Sequence, residues 1–403
     1  MSEWIEKSLG EVTSYIAKGI PPKYIEELTE NAIYVLNQKC NRDFAISYES
    51  ARIHDLTKKR VADEKMLNVG DVLVNSTGEG TAGRIAQLWD IPYPTTTDGH
   101  MITLRPTEEV DPLYYGYAIK AQQALIESLA EGSTGQTEIN RKRLQEEVII
   151  AFPKDKDKQK CTAKILENID KKITINNEIN RNLQEQAQAV YQEWFVEGAR
   201  YEKDVNGEFI GVSKVSLADL MDYAGGSQPP ASEFIEEERE GYVRFVQIRD
   251  YDTDSHITYI PVSPRNKLCN KYDIMIARYG AALGRICFGL DGAYNVALAK
   301  VFPKKSYYQE FLRSYLSSVD FYEGINIRGG RSAQSGFNQS DIKSFRLLFP
   351  DDDTILKEYE ELVKPIIDAR LKIKEENYKL AHLRDTILPK LMSGELDVSG
   401  FDI

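Results

Sequence analysis

Two spacings of apolar positions divide this chain. Over residues 1–153 and 207–350, apolar residues come in short β-branched or aromatic runs. These are DVLVN, MITL and EVIIAF in the first stretch, and DIMIAR, ALAKVF and FRLLF in the second. Gly, Pro, Asn and Asp break the runs, a pattern that predicts strands and turns of mixed α+β domains. One helix is expected in each stretch, over 113–130 and 307–319. No strand–helix–strand rhythm of about 30 residues appears, so a doubly wound sheet is not expected.

Each stretch closes on an apolar strand ending in Phe-Pro, VIIAFP (148–153) and FRLLFP (345–350), and there the spacing changes. In 351–403, Leu356, Tyr359, Val363, Ile366, Arg370, Ile373, Asn377, Leu380, Arg384, Ile387 and Leu391 recur at three-four intervals, a heptad seam. Asp351, Asp352 and Asp353 stand where a helix N-terminus favours negative charge. Pro365 predicts a kink, and Ser393-Gly394 a stop. In 154–206 a helix over roughly 155–198 carries Ile165, Ile169, Ile179, Leu183, Val190 and Trp194 on a similar seam.

The second half repeats the first. LGEVTSYIAKGIPP (9–22) matches LADLMDYAGGSQPP (217–230), and CNRD (40–43) matches QIRD (247–250). GDVLVNSTGEGTAGRI (70–85) matches YDIMIARYGAALGRI (272–286), and GQTEIN (135–140) matches AQSGFN (333–338). The Phe-Pro strands and the helices complete the order, at offsets between 197 and 208. Short matches in conserved order indicate a tandem duplication. A helix of about 40 residues is about 60 Å long and needs a partner for its apolar seam. Its own duplicate supplies one. A pseudo-two-fold arrangement makes the helices antiparallel, with the two mixed domains at opposite ends of a rod.

Composition narrows the chemistry. The 403 residues carry 51 Lys+Arg and 63 Asp+Glu, a net charge of -12. No apolar run reaches the ~18 residues that span a bilayer. The N-terminus lacks a signal-peptide layout, so a cytoplasmic protein is expected. Cys40, Cys161, Cys269 and Cys287 form no close pair, and His54, His100, His256 and His382 no ligand pair, so no metal site is expected. GEGTAGRI (78–85) spaces glycines like a phosphate loop but has Arg84 and Ile85 where Lys and Ser/Thr belong. It reads as a turn between strands. Asp111-Pro112-Leu113-Tyr114 lacks the second Pro of an amino-methyltransferase motif. Glu-x-Lys and GxSxG are absent, so no catalytic residue is expected.

The C-terminal run LRDTILPKLMSGELDV (383–398) resembles the closing segment of type I restriction-modification specificity subunits. VYQEWFVEGARYE (190–202) resembles their central segment, and Gln136/Asn140 and Gln334/Asn338 resemble the ends of their target recognition domains. The resemblance implies two pseudo-symmetric recognition domains, 1–153 and 207–350, joined by two long antiparallel coiled-coil helices in 154–206 and 351–403. It implies a subunit without catalysis that reads a bipartite double-stranded DNA target, one domain per half-site. Its partners would be two methyltransferase subunits and two restriction-translocase subunits. S-adenosylmethionine, ATP and magnesium would belong to those partners, and this chain would bind no cofactor. The alternative is a protein–protein scaffold without base readout.

Acidity argues against unaided DNA binding, because phosphate contacts need Lys and Arg. By segment the net charge is -7 over 1–153, zero over 154–206 and 207–350, and -5 over 351–403. Base reading needs a few well-aimed groups instead. Those expected in turns of the first domain are Lys58, Lys59, Arg60, Asn75, Ser76, Thr77, Arg84, Thr95, Thr96, Thr97, Arg141 and Lys142. In the second they are Arg265, Lys267, Arg278, Tyr279, Arg285, Arg328, Arg331 and Gln334. Trp194, Phe195, Leu391 and Met392 are candidate anchors for a partner subunit, with packing inside the rod as the competing role.

Overall fold

The computed structural model describes residues 4–78, 80–132, 137–254, 256–329, 336–396 and 398. The chain forms two compact units, Met1–Ile173 with Lys379–Ile403, and Thr174–Tyr378. Each unit holds one mixed domain and a part of each long helix.

In unit 1 an antiparallel sheet runs in the order Thr13–Lys18, Met101–Pro106, Val72–Asn75, Ile85–Gln87. A second sheet runs Thr95–Thr97, Ala32–Leu36, Arg52–Asp55, Tyr24–Ile25, its first pair parallel. Trp4–Ser8 pairs with the Phe-Pro strand, Ile149–Pro153. The expected 113–130 helix is two helices, Pro112–Ala121 and Gln123–Ser128. Asp111 caps the first by accepting from the Leu113 and Tyr114 N–H groups, with Pro112 at the position that needs no donor. Tyr114, Tyr115 and Phe152 fill the core beside Leu166, Leu388 and Leu391 of the long helices.

Unit 2 repeats this frame. Its antiparallel sheet runs Met221–Gly225, Leu298–Pro303, Met275–Ala277, Ile286–Cys287, the same order of equivalent strands. Val212–Ser216 pairs with Arg346–Pro350. The helix expected over 307–319 is Gln309–Leu316, followed by a separate one, Val319–Gly329. The structural repeat corrects the sequence match by one residue in the first block. Gly19 N–H donates to Met101 O and Gly226 N–H to Leu298 O, so Gly19, not Lys18, is the counterpart of Gly226. A pairing irregularity at Arg105/Pro106 absorbs the difference. At both glycines a Cβ would lie about 2 Å from backbone carbonyl oxygens, those of Thr97 and Asp98 or of Tyr294 and Asn295.

The first long helix is Lys156–Tyr191, widening to a five-residue-spaced turn over Gln192–Val196. The second is Thr354–Met392, helical through Pro365. Asp352 accepts from the Thr354 N–H and hydroxyl at its start, and Gly394 at φ 77° follows its end. Within unit 2 the helices run antiparallel. Asn176 meets Asn377, Asn180 meets Arg370, and the Ala187 carbonyl accepts from Tyr359 OH. The expected apolar seam is only partly apolar. Leu356, Tyr359 and Val363 are buried, but the face continues through Asn176, Asn180, Gln184 and Arg370. Ile179 is 41% exposed, because positions 176, 180 and 187 define the packed face and Ile179 lies off it.

Candidate nucleic-acid interface

In unit 1 the strand Val72–Asn75 runs out into Ser76 and Thr77. The antiparallel return of Met101–Pro106 brings His100 beside them. Ser76 N–H donates to His100 O at 2.8 Å, and Ile139 N–H to Ser76 O at 2.8 Å. Thr77 Oγ1 lies 2.7 Å from Gln38 Nε2 and 3.0 Å from His100 Nδ1. Lys18 pairs with Glu138 on the adjoining loop. The Gly-rich turn follows, and exposed Arg84 folds back, its Nη2 donating to Gly80 O at 3.0 Å. This confirms the turn between strands expected from 78–85.

Five candidates of unit 1 are corrected by burial. Asn75 and Ser76 are wholly buried, and Asn75 Oδ1 accepts from Asn41. Thr95, Thr96 and Thr97 form a buried strand, not a turn, and Thr96 Oγ1 donates to Lys65 O at 2.7 Å. These bonds tie Asn75 and Thr96 into the fold, while the buried Ser76 Oγ has no hydrogen bond among the described residues. Lys58, Arg60, Arg141 and Lys142 are exposed; Lys59 is half-buried and donates to Pro21 O. Arg141 and Lys142 open the helix Arg141–Glu147 behind its Asn140 cap.

In unit 2 the equivalent strand Met275–Ala277 leads to Arg278 and Tyr279. Tyr279 bridges to Gly336 as Thr77 bridges to Glu138. The Arg278 guanidinium lies 5.0 Å from the Tyr279 ring centroid, and its buried Nε has no hydrogen bond among the described residues. Tyr223 packs edge-on to Phe337 alongside. Arg265 and Lys267 are exposed. Arg285 is instead committed to the fold, bidentate on Asp252 at 2.6 and 2.5 Å. That pair holds the Asp252 carboxyl below its ordinary range. Arg328 is likewise tied to Ser344 and Gly324 and lies over the Phe345 ring. Arg331, Gln334 and Gln136 lie outside the described residues.

Sequence reasoning missed Gln38, His100, Tyr223 and Phe337. Only strand return and loop closure bring them to Thr77 or Arg278, and no local spacing announces that. The candidate partner anchors pack internally. Phe195 sits in the unit 2 core against Phe311 and Tyr359, and Leu391 and Met392 sit in the unit 1 core. Trp194 is half-buried between Tyr359 and the Arg200 guanidinium. Among the described residues no acidic, His or Cys cluster could hold a metal, and no helix is long and apolar enough to cross a membrane.

The two units thus share an α+β frame whose equivalent strand ends carry different side chains. Residues 1–185 match the family model described as the type I restriction modification DNA specificity domain. Over that stretch the chain is similar to the DNA specificity domain of type I restriction-modification systems. It is 22% identical to the type I restriction enzyme MjaIX specificity subunit of Methanocaldococcus jannaschii, over 98% of this chain and 94% of that one. Its fold is similar to the S subunit of a type I restriction-modification system from M. genitalium. There the TM-score is 0.58 and the identity 16%, over 99% and 97% of the two chains. A chain from a structure of type I R-M complex assembly and conformational transition aligns at TM-score 0.45 and 16% identity, over 98% of each.

Proposed function

We propose that this chain is a specificity subunit that reads a bipartite double-stranded DNA target, one mixed domain per half-site, and has no catalysis of its own. One observation carries the reading. Equivalent strand ends lead to Thr77 in unit 1 and to Arg278 and Tyr279 in unit 2, with Thr77 and Tyr279 each bridged to a later segment. One frame with two side-chain sets suits two different half-sites. An Arg side chain pairs bidentately with a guanine edge, and a Thr hydroxyl can meet either kind of base edge. The two long helices set the interval, since half-sites on one DNA face lie ~34–36 Å apart or at multiples of it. Exposed Lys58, Arg60, Arg84, Arg141 and Lys142 supply phosphate contacts in unit 1, and Arg265 and Lys267 in unit 2.

The acidic balance of the chain leaves most phosphate neutralisation to partners. Two methyltransferase subunits, bringing S-adenosylmethionine, complete the DNA-binding core. Two restriction-translocase subunits, bringing ATP and magnesium, join it. Trp194, half-buried at the end of its helix, remains the best placed of the four anchors for such a subunit.

The test exchanges residues 1–153 for the first domain of another specificity subunit and maps methylated bases in cells carrying the partner subunits. One half of the methylated sequence should change while the other half stays. An unchanged sequence would refute base reading and leave a protein–protein scaffold.

A further inference from the structure

Unit 2 contains a cavity of about 240 Å³ walled by parts of both long helices and by its mixed domain. Arg285, Arg313, Arg370 and Lys374 line it, and no carboxylate does among the described residues. Two of these cations are neutralised from behind. Arg285 sits on Asp252, and Arg313 pairs with Glu310 at 2.7 Å. Among the described residues the Arg370 side chain donates to neutral amides, Asn180 Oδ1 at 3.3 Å and Gln184 Oε1 at 2.7 Å, with Glu310 acting on it through space. The charges of Arg313, Arg370 and Lys374 stand 4.4, 5.1 and 5.2 Å from one ring centroid, that of Phe288. A ring face attracts each cation but does not cancel their mutual repulsion. Burial and the neighbouring Arg313 push the Arg370 guanidinium down to about 10. Arg313 Nη1 is buried with no hydrogen bond among the described residues.

The duplicate is built differently at this place. At the offset that pairs Leu362 with Ile165, Ile367 answers to Asp170 and Ala187 to Arg384. In unit 1 those two positions form an ion pair, Arg384 Nη1 to Asp170 Oδ1 at 2.8 Å, with Tyr117 OH donating to the other carboxylate oxygen. In unit 2 the counterparts are apolar and line the cavity. Unit 2 thus lacks that ion pair and gathers its cations here instead, with Asp252 and Glu310 as the carboxylates nearest to them.

We propose that this cavity binds a phosphate group, with Arg370 and Lys374 as its charge partners. Guanidinium geometry suits phosphate oxygens, and a compact ammonium completes the charge. The phosphate comes either from a small phosphorylated molecule or from the backbone of bound DNA. The second source rests on the DNA-reading function proposed above.

The test uses the full chain and inorganic phosphate against chloride at matched ionic strength, with Arg370→Gln and Lys374→Gln as variants. Arg313 is left intact because its buried pair with Glu310 supports folding. For a small-molecule site, phosphate raises Tm, both variants lose at least tenfold in phosphate affinity while keeping a native circular dichroism spectrum, and DNA affinity with the methyltransferase partner is unchanged. For a backbone site, free phosphate has no effect, and both variants weaken binding to all duplexes alike with a salt slope lower by about one. No phosphate effect together with unchanged DNA affinity overturns the proposal. So does a variant that alters the methylated sequence, since that marks base reading. Absence of sequence-specific DNA binding by the unaltered chain with its partner would instead sink the functional reading and leave the phosphate arm decisive.

Discussion

Asp353 precedes the first residue of the second long helix and ties it to the unit 2 domain. Lys305 Nζ donates to its carboxylate at 2.6 Å, and the Tyr307 and Tyr308 hydroxyls donate at 2.7 and 3.2 Å. The hydrogen bond from Lys305, then that from Tyr307, hold the carboxyl below its ordinary range. A depressed folded pKa means the unfolded chain binds the proton more readily. The contribution is therefore present above the unfolded value, ~3.9, and is lost as pH falls through the folded one. Asp353→Asn should lower stability at pH 7, and the difference from the parent should shrink to nothing in strong acid. Urea unfolding at several pH values checks this, and a deficit that persisted undiminished in acid would show another cause. The acidic triplet at this helix start was legible in the sequence. Its cationic and phenolic partners, some 45 residues earlier, were not.

At the scale of elements, the long helices show how far periodicity reaches. Three-four spacing located both helices and their approximate ends. It placed Arg370 and Asn377 on the seam of the second helix, where they meet the first, but missed Asn176 and Asn180 on the first helix, because Asn carries no hydrophobic signal. Asn176 is 1% exposed and donates to Glu376 Oε2 and Asn377 Oδ1, both at 2.8 Å. Asn377 donates in turn to Asn177 at 2.8 Å. Buried amides of this kind fix the register of paired helices at some cost in stability. Asn176→Ala should destabilise unit 2 by about 1–3 kcal/mol, since it strips hydrogen bonds from buried polar partners. Denaturant melts measure it; a change under a few tenths of a kcal/mol would show that the network is replaceable by water. The mixed domains were less legible. Their strands announced themselves as β-branched runs, but the two helices within 112–128 merged into one because Gln122 breaks the helix without a Gly or Pro.

At the scale of the whole molecule, the proposed ruler makes a length prediction. Adding one heptad to both long helices, at facing positions within 177–179 and 371–376, inserts about 10 Å, or roughly three base pairs at ~3.4 Å each. The methylated half-sites should move apart by that interval with their sequences unchanged. Methylated-base mapping reads the outcome directly, and an unchanged interval would show that the helices do not set it.

The sequence by itself determined the duplication, the alternation of mixed domain and long helix, and the resemblance to type I specificity subunits. Those features are written in local order and period, which survive without knowledge of any long-range contact. Tertiary structure decided which polar residues are available. It buried Asn75, Ser76 and Thr95–Thr97, committed Arg285 to Asp252, drew His100 and Gln38 to Thr77, and gathered Arg313, Arg370 and Lys374 around Phe288. The reason is physical. A polar side chain reads the same in sequence whether it meets water, a carbonyl or a ligand, and only the packed chain fixes which of these it meets.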